Sequence, residues 1–233
     1  MGLPKSDVVK SDVGATRDRI LDAAEQVFCD DGYSGASMRR IAEAAEVAQA
    51  LLHYHFDTKD GLFEAMFARR SGQINARRLA WLDELVAANE LTLENLIECL
   101  FRPTIEAGYD PERGGSQYSK ILAMVSTASD DRSKTLVGKY YDPLAHRFIE
   151  ALQACLPDLA APNAVWAYSY AIGTGVTMMA RTGRIGRLSG GACKDDDVEE
   201  MMRHLVPFIC AGIRALAGAG PEPPPRRNFG KAH

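Results

Sequence analysis

The sequence predicts an all-α protein in two parts, an N-terminal three-helix helix-turn-helix unit followed by a larger helical domain. Three observations predict it. Apolar residues recur at helical spacing along most of the chain, no stretch alternates apolar and polar residues as a half-buried strand does, and glycine and proline fall in clusters between the periodic segments. No internal repeat is present.

Residues 1–14 lack apolar periodicity and read as a flexible arm. The first helix is expected over about Thr16 to Asp31. Ile20, Leu21, Ala24, Val27 and Phe28 form one apolar stripe on it, and Gly32 closes it. A second helix begins at the N-cap Ser37 and carries Met38, Ile41, Ala42 and Ala45, the last three supplying its inner face. A tight connection at Ala45 to Val47 leads to a short third helix, about Ala48 to Tyr54, and this spacing is that of a helix-turn-helix. Thr58 caps a long fourth helix carrying Leu62, Phe63, Met66, Phe67, Ile74, Leu82 and Leu85.

Five further helices are predicted over Thr92–Glu106, Gln117–Thr127, Arg132–Cys155, Asn163–Arg181 and Asp197–Ala217. Glycines near 108–115 and 183–191, with Pro157 and Pro162, mark the loops between them. The C-terminal stretch contains three consecutive prolines, which forbid helix, so residues 219–233 read as a disordered tail. The expected domains are therefore 15–60, the helix-turn-helix unit, and 61–218, the larger helical domain.

Composition narrows the function classes. Hydrophobic residues make up 46% of the 233 and charged residues 25%, values of a globular chain and not of a collagen-like or wholly disordered one. There is no apolar run of membrane-spanning length and no secretory h-region, so a cytoplasmic protein with no membrane partner is expected. Five cysteines, odd in number and at least 17 residues apart, argue against a disulfide framework and a zinc cluster alike. The net charge of -4 excludes a uniformly basic nucleic-acid binder. Residues 1–60 hold seven bases and eleven acids, so any binding face there is positive only locally and its salt dependence is expected to be shallow.

The informative stretch is Ser37 to Lys59, SMRRIAEAAEVAQALLHYHFDTK. Once Val47, Leu52 and Phe56 pin the third helix inward, Gln49, Ala50, Leu51, His53, Tyr54 and His55 are left outward. A helix opening with Gln and small apolar residues suits the major groove, where Gln pairs with adenine and a methyl group meets thymine. Ser37, Arg39, Arg40, Tyr54, His55 and Lys59 supply donors for phosphates, as do the helix starts at Ser37 and Thr58. His53 and His55, two apart on a helix, face different sides and make no metal site.

ILDAAEQVFCDDGY from Ile20, SMRRIAEAAEV from Ser37 and LHYHFDTKDGL from Leu52 together resemble the N-terminal pattern of the TetR family of bacterial transcriptional regulators, over about residues 16–62. The resemblance implies that Ser37 and Arg39 meet phosphate ahead of the recognition helix. It also implies that Gln49, Ala50 and Leu51 face base edges and that Tyr54, His55 and Lys59 grip the backbone. Two positions depart from the pattern. Glu46 stands where the family usually has glycine, which puts a non-glycine residue near the left-handed region at about 1 kcal/mol. His53 replaces a usual tyrosine.

The last two long helices carry apolar residues on more than one face. Burial on two sides implies two partners, the subunit's own core and the same helices of a second copy, giving a four-helix homodimer interface. Ile172, Gly175, Met179, Met202, Leu205 and Ile209 are the residues assigned to it. A dimer suits a palindromic double-stranded operator. Phe101, Ile105, Tyr109, Met124, Tyr141, Phe148, Trp166 and Tyr170 are the candidate lining of an apolar effector cavity. The ending MMRHLVPFICAGIRA, with Pro207 inside a helix, resembles the fatty-acid-responsive branch of the family, which implies a long-chain acyl effector first and an aromatic one next.

No nucleophile-base pair, phosphate loop or cofactor motif is found, so an enzyme is not expected, and Asp195 to Asp197 read as the cap of the last helix. The expected function is a DNA-binding repressor released by an apolar effector. The alternative is a helical ligand carrier or enzyme without DNA affinity.

Overall fold

The structure, a computed structural model, describes residues 5–110 and 115–218. The described residues form eleven helices and no strand: α1 (Lys5–Gly35), α2 (Met38–Ala44), α3 (Gln49–His55), α4 (Lys59–Ala87), α5 (Leu93–Tyr109), α6 (Gly115–Thr127), α7 (Asp131–Tyr140), α8 (Asp142–Cys155), α9 (Ala161–Met179), α10 (Arg184–Leu188) and α11 (Val198–Gly218). None of them is long and apolar enough to cross a membrane.

Three boundaries differ from the sequence reading. α1 begins at Lys5, so the expected arm is helical from that residue on, while residues 1–4 and the tail 219–233 lie outside the described residues. The segment Arg132–Cys155 is two helices. Pro143 in the first turn of α8 has no N–H to continue the ladder, and the chain bends at Tyr141. α10 is a short additional helix entered through Gly183 in the left-handed region (φ 63°).

Two clusters of buried side chains make the core. The first joins Ile20, Leu21, Ala24 and Phe28 of α1 to Ile41, Leu52 and Phe56, to Leu62, Phe63, Met66 and Phe67 of α4, and onward to Tyr118, Ile121 and Leu122 of α6. The second joins Leu82 and Leu85 to α5, α8, α9 and α11. α4, 29 residues or about 43 Å long at the α-helical rise, is thus rooted in both. The N-terminal unit is welded to the rest and not hung on a linker. α6 packs on α1, where Gln117 Nε2 donates to Gln26 Oε1 at 2.7 Å.

An ion network fastens α4 to α1. Glu25, 2% exposed, accepts from Arg70 Nε at 2.7 Å and lies 3.6 Å from Arg69 Nη2, while Asp22 accepts from Arg69 at 2.6 Å. A buried carboxylate is tolerable only with such partners. Asp197 Oδ1 accepts from Glu200 N at 3.1 Å, as the capping role of that acidic run requires.

Candidate functional site

The α2–α3 unit is built from short-range signals. Ser37 sits in an extended conformation and its Oγ accepts from Arg40 N at 3.2 Å, capping α2. Ile41, Ala42 and Ala45 turn inward. The connection closes through Glu46 N to Glu43 O at 3.1 Å and Val47 N to Ala42 O at 3.0 Å. Glu46 takes φ 52°, the left-handed conformation expected at this non-glycine position. Leu52 (0% exposed) and Phe56 (6%) then anchor α3 from one side. Gln49, Ala50, Leu51, His53 and Tyr54 are left facing solvent, and Tyr54 is 78% exposed. His55 is half-buried, its ring 5.4 Å from that of Tyr54.

The cationic groups beside this face are already engaged. Arg39 pairs with Glu43 at 2.9 Å on the surface, where a phosphate can displace the carboxylate, and the exposed Arg40 pairs at 2.8 Å with the half-buried Asp31. Lys59 is held inward. Its Nζ donates to Tyr33 O at 2.9 Å and Ala36 O at 3.1 Å and lies 4.3 Å from the centroid of the Tyr33 ring. It fastens the α1–α2 turn to the start of α4, which leaves one of its three donors for a phosphate.

The larger domain holds a partly open cavity of about 230 Å³ between α4, α6, α7, α8 and α9. Leu122, Val137, Ile172, Val176 and Met179 supply apolar wall, and Arg78, Tyr141 and Tyr168 supply polar groups. Of the aromatic lining expected from sequence, only Tyr141 belongs to this cavity. Phe101 and Phe148 are core (0% and 1% exposed) and Ile105 is buried beside them. Tyr109 donates to Asp195 O at 2.8 Å and stacks under Arg181, so it packs the α10–α11 loop. Met124, Trp166 and Tyr170 are exposed. Sequence reasoning missed Arg78 and Tyr168. The signal for Arg78 was available, since it interrupts the stripe Ile74, Leu82, Leu85 on the buried side of α4.

The expected dimer residues are also displaced. Gly175, Met179, Met202, Leu205 and Ile209 are buried in the subunit's own core, and Ile172 is half-buried against it. Gly175 admits the Phe101 ring, which a Cβ there would overlap. The opposite face of the same helices is the unpartnered one: Val165 (50% exposed), Trp166 (57%) and Tyr170 (62%) on α9 and Phe208 (70%) on α11. Trp166 and Tyr170 stack with centroids 5.6 Å apart. Shallow apolar grooves of about 410 and 440 Å³ flank Phe208. Periodicity shows that α9 has two apolar faces, but it does not show which of them meets the core.

Residues 20–66 match the model of the bacterial regulatory proteins of the tetR family, and residues 98–212 match the model of the tetracyclin repressor-like C-terminal domain. The chain belongs to the TetR family. Among curated TetR-family relatives, the negative transcriptional regulator of the biofilm operon icaADBC, IcaR of Staphylococcus aureus, is 25% identical over 126 residues, covering 54% of this chain and 62% of that protein. The fatty acid degradation regulator FadR from Bacillus halodurans superposes with a TM-score of 0.58 at 18% identity, covering 88% of this chain and 95% of that one. AibR, solved in complex with isovaleryl coenzyme A and operator DNA, superposes with a TM-score of 0.63 at 20% identity, covering 83% and 97%. At these identities the structural likeness is one of fold. Within the TetR pattern, Glu46 reaches without glycine the backbone conformation that the turn needs.

Proposed function

We propose that this chain is a homodimeric, sequence-specific DNA-binding repressor, released from a palindromic double-stranded operator by a small apolar effector. The observation that carries the reading is the α2–α3 unit. It presents Gln49, Ala50 and Leu51 outward from a short helix anchored by Leu52, and Ser37, Arg39, Arg40 and Tyr54 of the same unit are exposed as well. Gln and small apolar groups read adenine and thymine edges, while hydroxyls and guanidinium groups meet the backbone. His55 and the remaining donor of Lys59 are secondary phosphate contacts. His53, exposed on α3, completes the proposed interface.

The dimer forms through the exposed face of α9 and α11, with Trp166, Tyr170 and Phe208 at its centre, which sets two recognition helices at a fixed spacing. The effector occupies the cavity beside α4. It favours a conformer in which that spacing no longer fits successive major grooves, and it releases DNA only to the extent that it binds that conformer better. The operator complex of AibR supports the first half of this reading and its bound acyl coenzyme A supports the second.

The test is a gel shift of the full chain at low salt with the DNA upstream of its own gene. A discrete complex resistant to unrelated competitor DNA is expected. Absence of a shift from a verified dimer overturns the proposal. Gln49→Ala should relax preference at one base pair by about 1–3 kcal/mol.

A further inference from the structure

Arg78 is the one cation among the described residues in the wall of the effector cavity, and its surroundings are unusual. It is 3% exposed, yet no carboxylate of the described residues comes within ion-pair distance of it. Its Nη1 donates to Asn75 Oδ1 at 3.1 Å and its Nη2 to Thr104 Oγ1 at 2.5 Å, both neutral acceptors, and its Nε has no partner. Asp142, the one acid among the described residues of the cavity wall, is exposed to solvent. The guanidinium is also held in place. Asn75 Nδ2 donates to Tyr140 O at 2.8 Å, which fixes the amide whose oxygen meets Arg78.

A buried guanidinium without a counter-charge is unfavourable, and the imbalance is relieved when an anion enters. The rest of the wall suits the remainder of such a molecule. Leu122, Val137, Ile172 and Val176 are apolar, and the tyrosines stay neutral, since burial pushes the Tyr141 phenol up and the Tyr168 phenol up to about 12. An apolar cavity of about 150 Å³ accepts benzene, so the 230 Å³ here takes a body of that size with one carboxylate attached.

We propose that the effector is a compact monocarboxylate whose carboxyl group pairs with the Arg78 guanidinium and whose aromatic or short aliphatic body fills the cavity. This rests on the reading of the cavity as the effector site.

The full chain is titrated by calorimetry at pH 7 with benzoate, phenylacetate and hexanoate, each paired with its primary amide. At least one acid should bind ten-fold or more tighter than its amide. Arg78→Met should abolish that preference while leaving amide affinity within about two-fold, because the amide lacks the charge that Arg78 selects. Three acids that bind no better than their amides overturn the proposal, as does an Arg78→Met chain that keeps the preference. Should the variant fail to fold, the acid-to-amide ratio on the unaltered chain decides alone. The gel shift is scored separately. Acid preference without DNA binding refutes the repressor reading and leaves the anion site standing, and DNA binding without acid preference does the reverse.

Discussion

The guanidinium of Arg132 lies 3.2 Å from the centroid of the Tyr33 ring, and the two side chains share one acceptor. The Tyr33 hydroxyl donates to Asp60 Oδ1 at 2.6 Å, and Arg132 Nε pairs with the same oxygen at 3.2 Å. Arg132 is on the first turn of α7, Tyr33 closes α1, and Asp60 opens α4. The other end of α7 is Tyr140, whose carbonyl holds Asn75 and through it Arg78. One short helix therefore touches the cavity cation at one end and the DNA-reading unit at the other.

If α7 carries the signal, Arg132 and Tyr33 are energetically coupled. A double-mutant cycle of Arg132→Ala and Tyr33→Ala, read by urea unfolding, should give a coupling of about 0.5–1 kcal/mol, the range for a partly exposed cation-π pair. Arg132→Ala should bind operator as the unaltered chain does but respond more weakly to effector. Strict additivity in the cycle removes α7 from the coupling path.

The Arg70–Glu25 pair at 2.7 Å is the tie between α4 and α1. Burial pushes the Glu25 carboxyl above its ordinary range, against the opposing pull of Arg70 and Arg69. Arg70→Met strands that carboxylate, and a loss of about 3–5 kcal/mol is expected at neutral pH. The sign of the pH dependence follows. A carboxyl group whose folded-state pKa is raised contributes stability that is full below the unfolded value of 4.5 and is lost as pH rises through the folded value. The variant's deficit should therefore shrink toward pH 4. The double variant Glu25→Leu/Arg70→Met, which buries no charge at this pair, should recover much of the loss. A deficit that grows on acidification contradicts the assignment.

Glu46 holds φ 52° in the helix-turn-helix connection. Glycine is unstrained there, so Glu46→Gly should raise stability by up to about 1 kcal/mol, less the greater entropy of its unfolded chain. A lower urea midpoint contradicts this. The same change removes an acid next to the reading helix and should tighten non-specific DNA binding.

On the face left bare by α9 and α11, Tyr170→Asp or Phe208→Asp should convert dimer to monomer in sedimentation equilibrium with the fold retained by circular dichroism, since both side chains are mostly exposed. Central aromatic residues of an interface are commonly worth about 2 kcal/mol or more. Gly175→Val should instead unfold the domain, because the new side chain meets the Phe101 ring. If Gly175→Val folds and dissociates the dimer, the interface lies on the face first expected from sequence.

What was readable in the sequence follows the range of the interactions involved. The cap at Ser37, the inward Ile41 and Leu52, and the outward Gln49 depend on neighbours within one or two turns, so periodicity and capping place them. The split at Tyr141 was local too, marked by Pro143, which falls twelve residues into the single helix expected over Arg132–Cys155 and in the structure opens α8. Trp166 and Met179 were assigned to opposite faces from those they occupy, because α9 is apolar on both. Only the packing of Phe101 against Gly175, 74 positions away in the chain, decides which face is inside. Arg78 was passed over for a related reason. A lone arginine on an apolar stripe reads as a snorkelling side chain until its burial is known.

The salt dependence of operator binding tests the electrostatics of the whole unit. Residues 1–60 hold seven bases and eleven acids, so the chain's entire net charge of -4 resides in its DNA-reading part. Arg39 and Arg40 each release a carboxylate before meeting phosphate, and Lys59 is two-thirds committed to Tyr33 and Ala36. Each phosphate neutralised adds about 0.9 to the slope of log affinity against log salt. With two arginines and one partly free lysine per subunit, the dimer's slope should stay near about -5 and well short of the -10 of a strongly basic repressor. Arg40→Ala should make it shallower by roughly two, one phosphate in each half-site. It also leaves the half-buried Asp31 without its partner, which should deepen the affinity loss without adding to the slope. A slope near -10, or one unchanged in Arg40→Ala, places the phosphate contacts on residues other than these.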